Sequence, residues 1–379
     1  VYTQSAMPVD WALAMMNLAL AYRKRIRGDK AENIEEAIRH YKQVITVYTQ
    51  SDFPFDWALA MMNLAVAYDS RIIGDKADNI EEAIRHYTQA LIVMTQSAIP
   101  KKHQDILRNL NELYFENRRW QDVVQTCRQI IAVGKDIFTS AYTDAGRQSA
   151  LSDSGLAYTQ LSYALIQLGQ YDEALLALDA GKARLLAEAL SFGDANLAEL
   201  TPQEREKIQH YRDDIASLEY EYRLPPNHPS RRDERLIADA LRDARGALRN
   251  YMDSLKTRYP NLMPEGIPLA DLLALIPEKT VLVAPVFTTQ GSAVFIIPHG
   301  TTAVSQQHVL MLDGVTTDTL YQMTIGTEEN PGWLRRYVTR NHPDLLNAID
   351  EIGKSLWDTL IGQVHEQVQA LGEISQIII

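Results

Sequence analysis

Cysteine is almost absent from this sequence of 379 residues, because Cys127 is the only one. A single cysteine excludes a framework of intramolecular disulfides and is typical of the reducing cytoplasm, where we expect this chain to reside. Nine scattered histidines and one cysteine also lack the clustering that a zinc site needs. We therefore predict no metal site and no cofactor.

The sequence also has no long apolar run, and it has fewer basic than acidic residues. No stretch approaches the roughly 20 apolar residues that span a bilayer, so no membrane partner is predicted. The 37 basic residues are outnumbered by 49 acidic ones, which gives a formal net charge of −12. This balance argues against a general nucleic-acid binder, which needs a cationic face to release counterions from phosphate. A local basic patch, and with it a ribonucleoprotein partner, stays open.

What the sequence does contain is a unit of 46 residues that recurs. Val-Tyr-Thr-Gln-Ser begins at Val1 and again at Val47, and Val-Met-Thr-Gln-Ser begins at Val93. A period in this range is the signature of a stacked-repeat array, in which no unit buries its apolar face alone. Such arrays present an extended concave surface, and we expect a protein or peptide partner to bind there.

Each of the first two units contains two helical patterns. In the first unit, Asp10 and Asn33 are the predicted N-caps, because their side-chain oxygens can accept the free amide protons of a first turn. Apolar and small residues recur at three- and four-residue spacing, which predicts two facing stripes: Leu18, Ala19, Tyr22, Ala37, Ile38, Tyr41 and Val44. Less regular pairs follow, and the sequence predicts four helix pairs in residues 1–190.

These patterns resemble the tetratricopeptide repeat. Residues 17–22 and 63–68 match its first-helix signature, and residues 36–38 and 82–84 match its second. The usual period of that family is about 34 residues, so the units here are roughly 12 residues longer. The resemblance implies a mainly α-helical solenoid over residues 1–190.

Five polar residues are candidates for contact with a partner, since they lie at inward-facing positions of the predicted array: Asn17, Asn63, Asn109, Arg23 and Lys24. An asparagine at this helix position also serves as a hydrogen-bonding residue to the neighbouring helix, which is the alternative interpretation. The array as a whole has an alternative role too, in which it only supports the rest of the chain.

Residues 191–260 are predicted to form a helical hairpin. Thr201-Pro-Gln-Glu204 is a capping box with proline at the first helical position. Apolar residues then step by three and four, which is the spacing of a coiled-coil seam: Ile208, Tyr211, Ile215, Leu218 and Tyr222. Pro225 and Pro226 end this helix, and a second amphipathic pattern runs to about residue 258.

In residues 261–379 the pattern changes to short runs rich in β-branched residues. The sequence predicts strands at 281–287, 292–297 and 301–308, helices at 316–323 and 344–369, and a last strand at 374–379. This order is typical of the opening of an α/β domain.

The order of parts is similar to that of bacterial tetratricopeptide-repeat proteins with a caspase-like domain, the CHAT family. The stretches that carry the resemblance are 53–57, 79–84, 181–188, 269–285 and 349–358. It implies a cysteine peptidase whose His-Gly and Cys lie at the ends of neighbouring strands. Neither motif matches here, and the family places both beyond residue 379. Since the chain also starts at Val1 without a methionine, we expect the repeats and non-catalytic front of a longer protein.

Two residues imitate a catalytic pair. His299 precedes Gly300, but Pro298 before them predicts a hairpin turn between two strands. Cys127 lies in a repeat helix beside Val123 and other apolar residues, which predicts a buried and unreactive thiol. No catalytic residue is therefore predicted in this chain.

The sequence thus favours a regulatory interaction role, in which the repeats sense or hold a partner for a caspase-like cysteine peptidase. The alternative is a non-catalytic repeat scaffold with a degenerate α/β cap. An enzyme with a site of unrecognised type is a third hypothesis.

Overall fold

A computed structural model gives the fold and describes residues 3–140, 144–190, 200–224, 228–256, 258–259, 267–312, 314–327, 332–338 and 342–379. The described chain is mainly helical, with a small four-stranded sheet in its C-terminal part. It divides into two compact units. The first comprises residues 1–118, 125–154 and 194–263, and the second comprises residues 119–124, 155–193 and 264–379.

The repeat region is built from consecutive helices, which are α1 Pro8–Lys24, α2 Lys30–Val44, α3 Pro54–Asp69, α4 Lys76–Val93, α5 Pro100–Glu116, α6 Trp120–Ser140, α7 Asp144–Gln167 and α8 Tyr171–Leu190. Helix α1 packs on α2, α3 packs on α4, and α2 and α4 pack on the helices that follow them. Small residues such as Ala19, Ala37, Ala65 and Ala83 are fully buried, so the helices approach closely. The helix pairs predicted for the first two units are confirmed.

The predicted N-caps are wrong, because the helices begin earlier. Helices α1 and α3 start with proline at the first helical position, and Asp10 falls within the first turn of α1. Helix α2 is capped by Asp29, whose carboxylate accepts the Glu32 amide at 2.9 Å. Asn33 lies inside α2 instead, buried, and its Nδ2 donates to the Arg27 carbonyl at 3.0 Å. Asn33 therefore holds the loop before the helix rather than the helix end.

The helical hairpin belongs to the first compact unit and consists of Pro202–Arg223 and Glu234–Lys256. The capping box of Thr201 and Glu204 is confirmed. The seam of the first helix faces the second helix, and together they form a separate small core with these buried members: Ile208, Ile215, Ile237, Leu241, Leu248, Met252 and Leu255. Tyr222 packs edge-on against Phe55 of α3, with ring centroids 5.4 Å apart, so the hairpin contacts the repeats.

The sheet belongs to the second compact unit and has the strands β1 Thr280–Phe287, β2 Ser292–Pro298, β3 Val309–Leu312 and β4 Gln376–Ile378. Its order is β3-β2-β1-β4, in which β1 pairs antiparallel with β2 and parallel with β4, and β2 pairs antiparallel with β3. The sheet is therefore mixed. Apolar residues of β1 and β2 are largely buried.

The third predicted strand was misplaced, because Gln306–His308 forms a short 3₁₀ turn. The backbone amide of Ser305 donates to Nδ1 of His308 at 3.0 Å, which fixes this turn, and β3 begins only at Val309. Helices Leu269–Ala274, Thr317–Thr324, Trp333–Val338 and His342–Leu356 accompany the sheet, followed by a π-helical turn at Trp357–Ile361 and a helix at Gly362–Ala370. Within the described part of the chain, no helix is long and apolar enough to cross a bilayer.

Candidate functional site

The three predicted asparagines occupy the same position on α1, α3 and α5, and two of them contact the preceding repeat. Nδ2 of Asn63 lies 3.8 Å from Sδ of Met16 on α1. The Asn109 side chain lies near the hydroxyl of Tyr87 on α4 and opposes the rise of the Tyr87 pKa. Asn17 and Asn109 are exposed, whereas Asn63 is half-buried. Asn63 therefore contributes to packing between units, as the structural alternative for this position has it.

Arg23, at the end of α1, lies beside two buried tyrosines. The Tyr41 side chain of α2 is fully buried, and its hydroxyl makes no hydrogen bond within the described chain. The buried Nε of Arg23 likewise has no hydrogen-bond partner among the described residues. Burial raises the pKa of Tyr41, and the Arg23 charge opposes that rise. Buried polar atoms without partners are rare in proteins, so this pair is an unusual feature beneath the end of α1.

The charge at this position reverses in the second unit. Asp69 of α3 stands where the first unit has Arg23, and Tyr87 stands where it has Tyr41. Burial, followed by the Asp69 charge, raises the pKa of Tyr87. Partial loss of hydration raises the pKa of Asp69, and the negative charge of the neighbouring Glu112 adds to the rise. The Asp69 residue is nevertheless exposed, so its carboxylate can reach a partner.

The acidic character continues on α5. Burial raises the pKa of Glu116, and the charges of Asp69 and Glu112 add to it. We name the residues at these helix ends the helix-end surface and define it as Arg23, Lys24, Asp69, Glu112 and Glu116, with Tyr41 and Tyr87 beneath them. It is basic where α1 ends and acidic where α3 and α5 end. Such a surface fits a partner segment that carries anionic groups followed by cationic ones.

Sequence reasoning found Arg23 and Lys24 but missed the acidic half of the helix-end surface. A signal for it was present, because residues 1–46 and 47–92 are near-copies in which Arg23 and Lys24 are replaced by Asp69 and Ser70. Both units keep the same helix pair with either charge, so the packing of the pair does not require the reversal. The hydroxyl positions of Tyr41 and Tyr87 could not be predicted from spacing, since they depend on how α1 packs on α2 and how α3 packs on α4.

The repeated histidines have a structural role. His40 stacks on Tyr22 with ring centroids 5.6 Å apart, and His86 stacks on Tyr68 at 5.5 Å. Nδ1 of His86 lies 3.3 Å from Sδ of Met61 on α3. Burial, reinforced by the Arg85 charge, lowers the pKa of His86 to about 4. His86 is therefore neutral in the folded protein at neutral pH.

This neutral His86 makes the second unit sensitive to mild acid. Because its pKa is lower in the folded state than the usual value of about 6.5, the unfolded chain takes up the proton first. Stability is then complete above about pH 6.5 and falls as the pH drops toward 4, by about 2 kcal/mol between pH 7.5 and 5. Urea unfolding at the two pH values, compared with His86→Gln, measures this loss. An equal pH dependence in the variant would contradict the assignment to His86.

Cys127 and His299, the cysteine and histidine that resemble a catalytic pair in the sequence, both make structural contacts. Cys127 is buried, and its Sγ donates to Oδ1 of Asn111 at 3.2 Å. Burial raises the pKa of this thiol, which disfavours the nucleophilic thiolate. His299 follows β2 in a turn, where its Nδ1 lies 2.6 Å from the Ile276 carbonyl. In the part of the chain that the structure describes, no group of three or more His, Cys, Asp or Glu side chains could hold a metal ion.

No family model matches the chain, and no curated protein sequence matches it. The resemblances to the tetratricopeptide repeat and to a caspase-like domain therefore rest on the residues quoted for them.

Proposed function

We propose that the repeats bind a protein or peptide partner through the helix-end surface. In this proposal the helix pairs form a tetratricopeptide-like solenoid in a cytoplasmic protein. The α/β part is the non-catalytic front of a caspase-like domain, and partner binding regulates the peptidase of the intact protein. The observation that carries the binding role is the reversal of charge between two near-identical units, from Arg23 and the exposed Lys24 at the end of α1 to the exposed Asp69 at the end of α3.

A partner would meet the charged side chains at the helix ends, where Lys24 and Asp69 are exposed. An anionic group of the partner next to Arg23 would also form a charge-assisted hydrogen bond, which is stronger than a neutral one. A cationic side chain further along would pair with Asp69 and lower the repulsion among the carboxylates there. Both ends of the helix-end surface therefore favour the same orientation of one bound segment.

A scaffold role is the second candidate, and contacts within the second compact unit favour it. Asp172 of α8 accepts the backbone amide of Val304 at 2.6 Å. Gly291, in the turn between β1 and β2, lies so close to Tyr163 of α7 that a Cβ there would be 2.4 Å from the tyrosine hydroxyl. The α7–α8 pair thus supports the loops of the sheet. On this alternative the repeats only hold the α/β part in place.

Charge reversal on the helix-end surface distinguishes the two functions. The chain is used as bait in lysate of its source cells, and retained proteins are quantified by mass spectrometry for Arg23→Asp, for Asp69→Arg and for the unchanged chain. Partner binding predicts one protein whose retention falls about tenfold or more in both variants, which corresponds to about 1.4 kcal/mol. Arg85→Gln is the matched control, because Arg85 is an exposed α4 residue that pairs with Glu82. Equal retention by all four chains would support the scaffold.

A further inference from the structure

The outer face of α1 carries the same residues as a buried face of α3. Leu64 of α3 is fully buried, whereas Leu18, at the same position of α1, is 39% exposed. Ala60 and Ala67 are also fully buried, whereas their counterparts Ala14 and Ala21 are exposed. The two helices differ in what covers them rather than in sequence.

Helix α2 of the preceding unit packs on α3 and makes specific polar contacts with α3 and the loop that follows it. The Arg71 guanidinium binds the Glu35 carboxylate in a bidentate manner, with Nε–Oε1 at 2.6 Å and Nη2–Oε2 at 3.1 Å. Nζ of Lys42 lies 5.4 Å from the centroid of the Tyr68 ring. One carboxylate of α2 therefore pairs with an arginine of the next unit, and one ammonium of α2 lies over a tyrosine of that unit.

The first unit presents the same arginine and tyrosine without such a neighbour. Arg25 takes the position of Arg71, and Tyr22 takes that of Tyr68. A Cβ placed on Gly28 would lie 3.9 Å from Cζ of Arg25, and one placed on Gly74 would lie 3.9 Å from Cζ of Arg71, so each guanidinium group lies near the corresponding glycine of its loop. Among the described residues, no carboxylate forms an ion pair with Arg25.

The α1 face also lacks the polar character of a terminal cap. End repeats of a stacked array normally carry a polar outer face, which keeps the array soluble. Here the exposed surface of α1 and the segment before it includes large apolar side chains: Met7 at 45%, Val9 at 44%, Leu13 at 54% and Leu18 at 39% exposed. Several exposed apolar side chains on and before one helix, with an arginine after its end, are typical of a docking site.

We propose that the α1 face, defined as Leu13, Ala14, Leu18, Ala21, Tyr22 and Arg25, binds a further helix-pair unit of the same repeat class. The second helix of that unit lies on α1 as α2 lies on α3. A carboxylate at the place of Glu35 pairs with Arg25, and a cation at the place of Lys42 lies over Tyr22. Aliphatic residues between them cover Leu18.

A second copy of this chain is a poor occupant of the α1 face. Its α2 and α4 helices already pack on α3 and α5, so neither offers an open face of the required kind. Two α1 faces packed on each other would bring two arginines together and leave both without a carboxylate. The occupant is therefore a unit whose second helix is otherwise uncovered.

The test adds one more copy of residues 1–46 directly before Val1 of the full chain. This junction joins Thr46 to Val1 and so reproduces the native sequence around Thr46 and Val47 closely. Amide hydrogen exchange of residues 8–24 is then compared in the extended and unextended chains. We expect exchange to slow about tenfold or more in the extended chain, because α1 becomes an internal helix.

Charge exchange shows whether the slowing depends on the proposed ion pair. In the extended chain, Arg25→Glu in the original copy should remove most of the slowing. Combining this change with Glu35→Arg in the added copy should restore slow exchange. Arg27→Glu is the control, since Arg27 is exposed in the same loop and the second unit has isoleucine there. Unchanged exchange in the extended chain would overturn the proposal. So would slowing that Arg25→Glu leaves intact, or slowing in the unextended chain that depends on its concentration.

Discussion

Leu64→Ala is expected to destabilise the repeats by about 2–5 kcal/mol, whereas Leu18→Ala should cost less than about 1 kcal/mol. The two leucines occupy the same position in nearly identical units, but Leu64 is fully buried and Leu18 is 39% exposed. Removing the Leu64 side chain leaves a cavity in the core of the repeats. Removing the Leu18 side chain takes away only partly covered apolar surface.

Urea unfolding followed by circular dichroism measures both variants against the unchanged chain. Because the same replacement is made in the same local sequence, helix propensity changes equally and the difference reports tertiary packing alone. Equal losses of stability would contradict the stacking of the second unit on the first. They would also contradict the exposure of the α1 face.

Arg245→Leu is expected to destabilise the first compact unit by about 3 kcal/mol or more. Arg245 lies on the second hairpin helix and is 8% exposed. Its Nη1 donates to the carbonyls of Ser97 and Ala98 at 3.1 and 2.9 Å, and its Nη2 pairs with Glu219 at 2.7 Å. Leucine fills much of the space but leaves both carbonyls without this donor. The hairpin would then lose its main polar contact with the turn before α5.

Arg242→Leu is the matched control, because Arg242 lies one turn earlier on the same helix and is exposed. Its ion pair with Asp239, at 2.8 Å, lies on the surface, where such pairs contribute about 0–1 kcal/mol. The comparison uses the unfolding midpoint together with hydrogen exchange of residues 95–105. A loss for Arg245→Leu no larger than that for Arg242→Leu would show that the hairpin does not depend on this contact.

Much of the helical part follows from the sequence, because its signals are strong and local. The 46-residue period identifies the units, and the capping box at Thr201 and the seam from Ile208 to Tyr222 identify the first hairpin helix. The N-caps were misplaced because Asp29 and Asn33 are both good caps, four residues apart, and only the loop geometry selects between them. Local sequence leaves such ties unresolved.

The C-terminal part was harder to predict, since its signals are short. β-Branched residues at 301–308 favoured a strand, but the contacts of Ser305 and His308 form a turn there. The pattern at 344–369 predicted one helix, whereas the helix is interrupted by the π-helical turn at Trp357–Ile361. A Cβ on Gly362 would lie 2.8 Å from the Trp357 carbonyl, so the following glycine makes this turn sterically feasible.

The candidate site was predictable in position but not in character. Arg23 and Lys24 stand out as charges at a helix end, and the chain itself shows that Asp69 replaces Arg23 in the second unit. The surroundings of these charges include Tyr41 and Tyr87, whose hydroxyls lie beside them in the fold. Long-range packing brings these groups together, and no spacing rule encodes it.

Site-specific photocrosslinking tests partner binding by the helix-end surface most directly. A photoreactive residue is placed at Lys24, at Ser70 or, as a control, at Arg85, and each chain is irradiated in lysate of its source cells. All three positions are exposed, but only the first two lie at the ends of α1 and α3. We expect the same protein to be crosslinked from positions 24 and 70 and not from position 85. Crosslinks from 24 and 70 that are no stronger than those from 85 would contradict the proposed function.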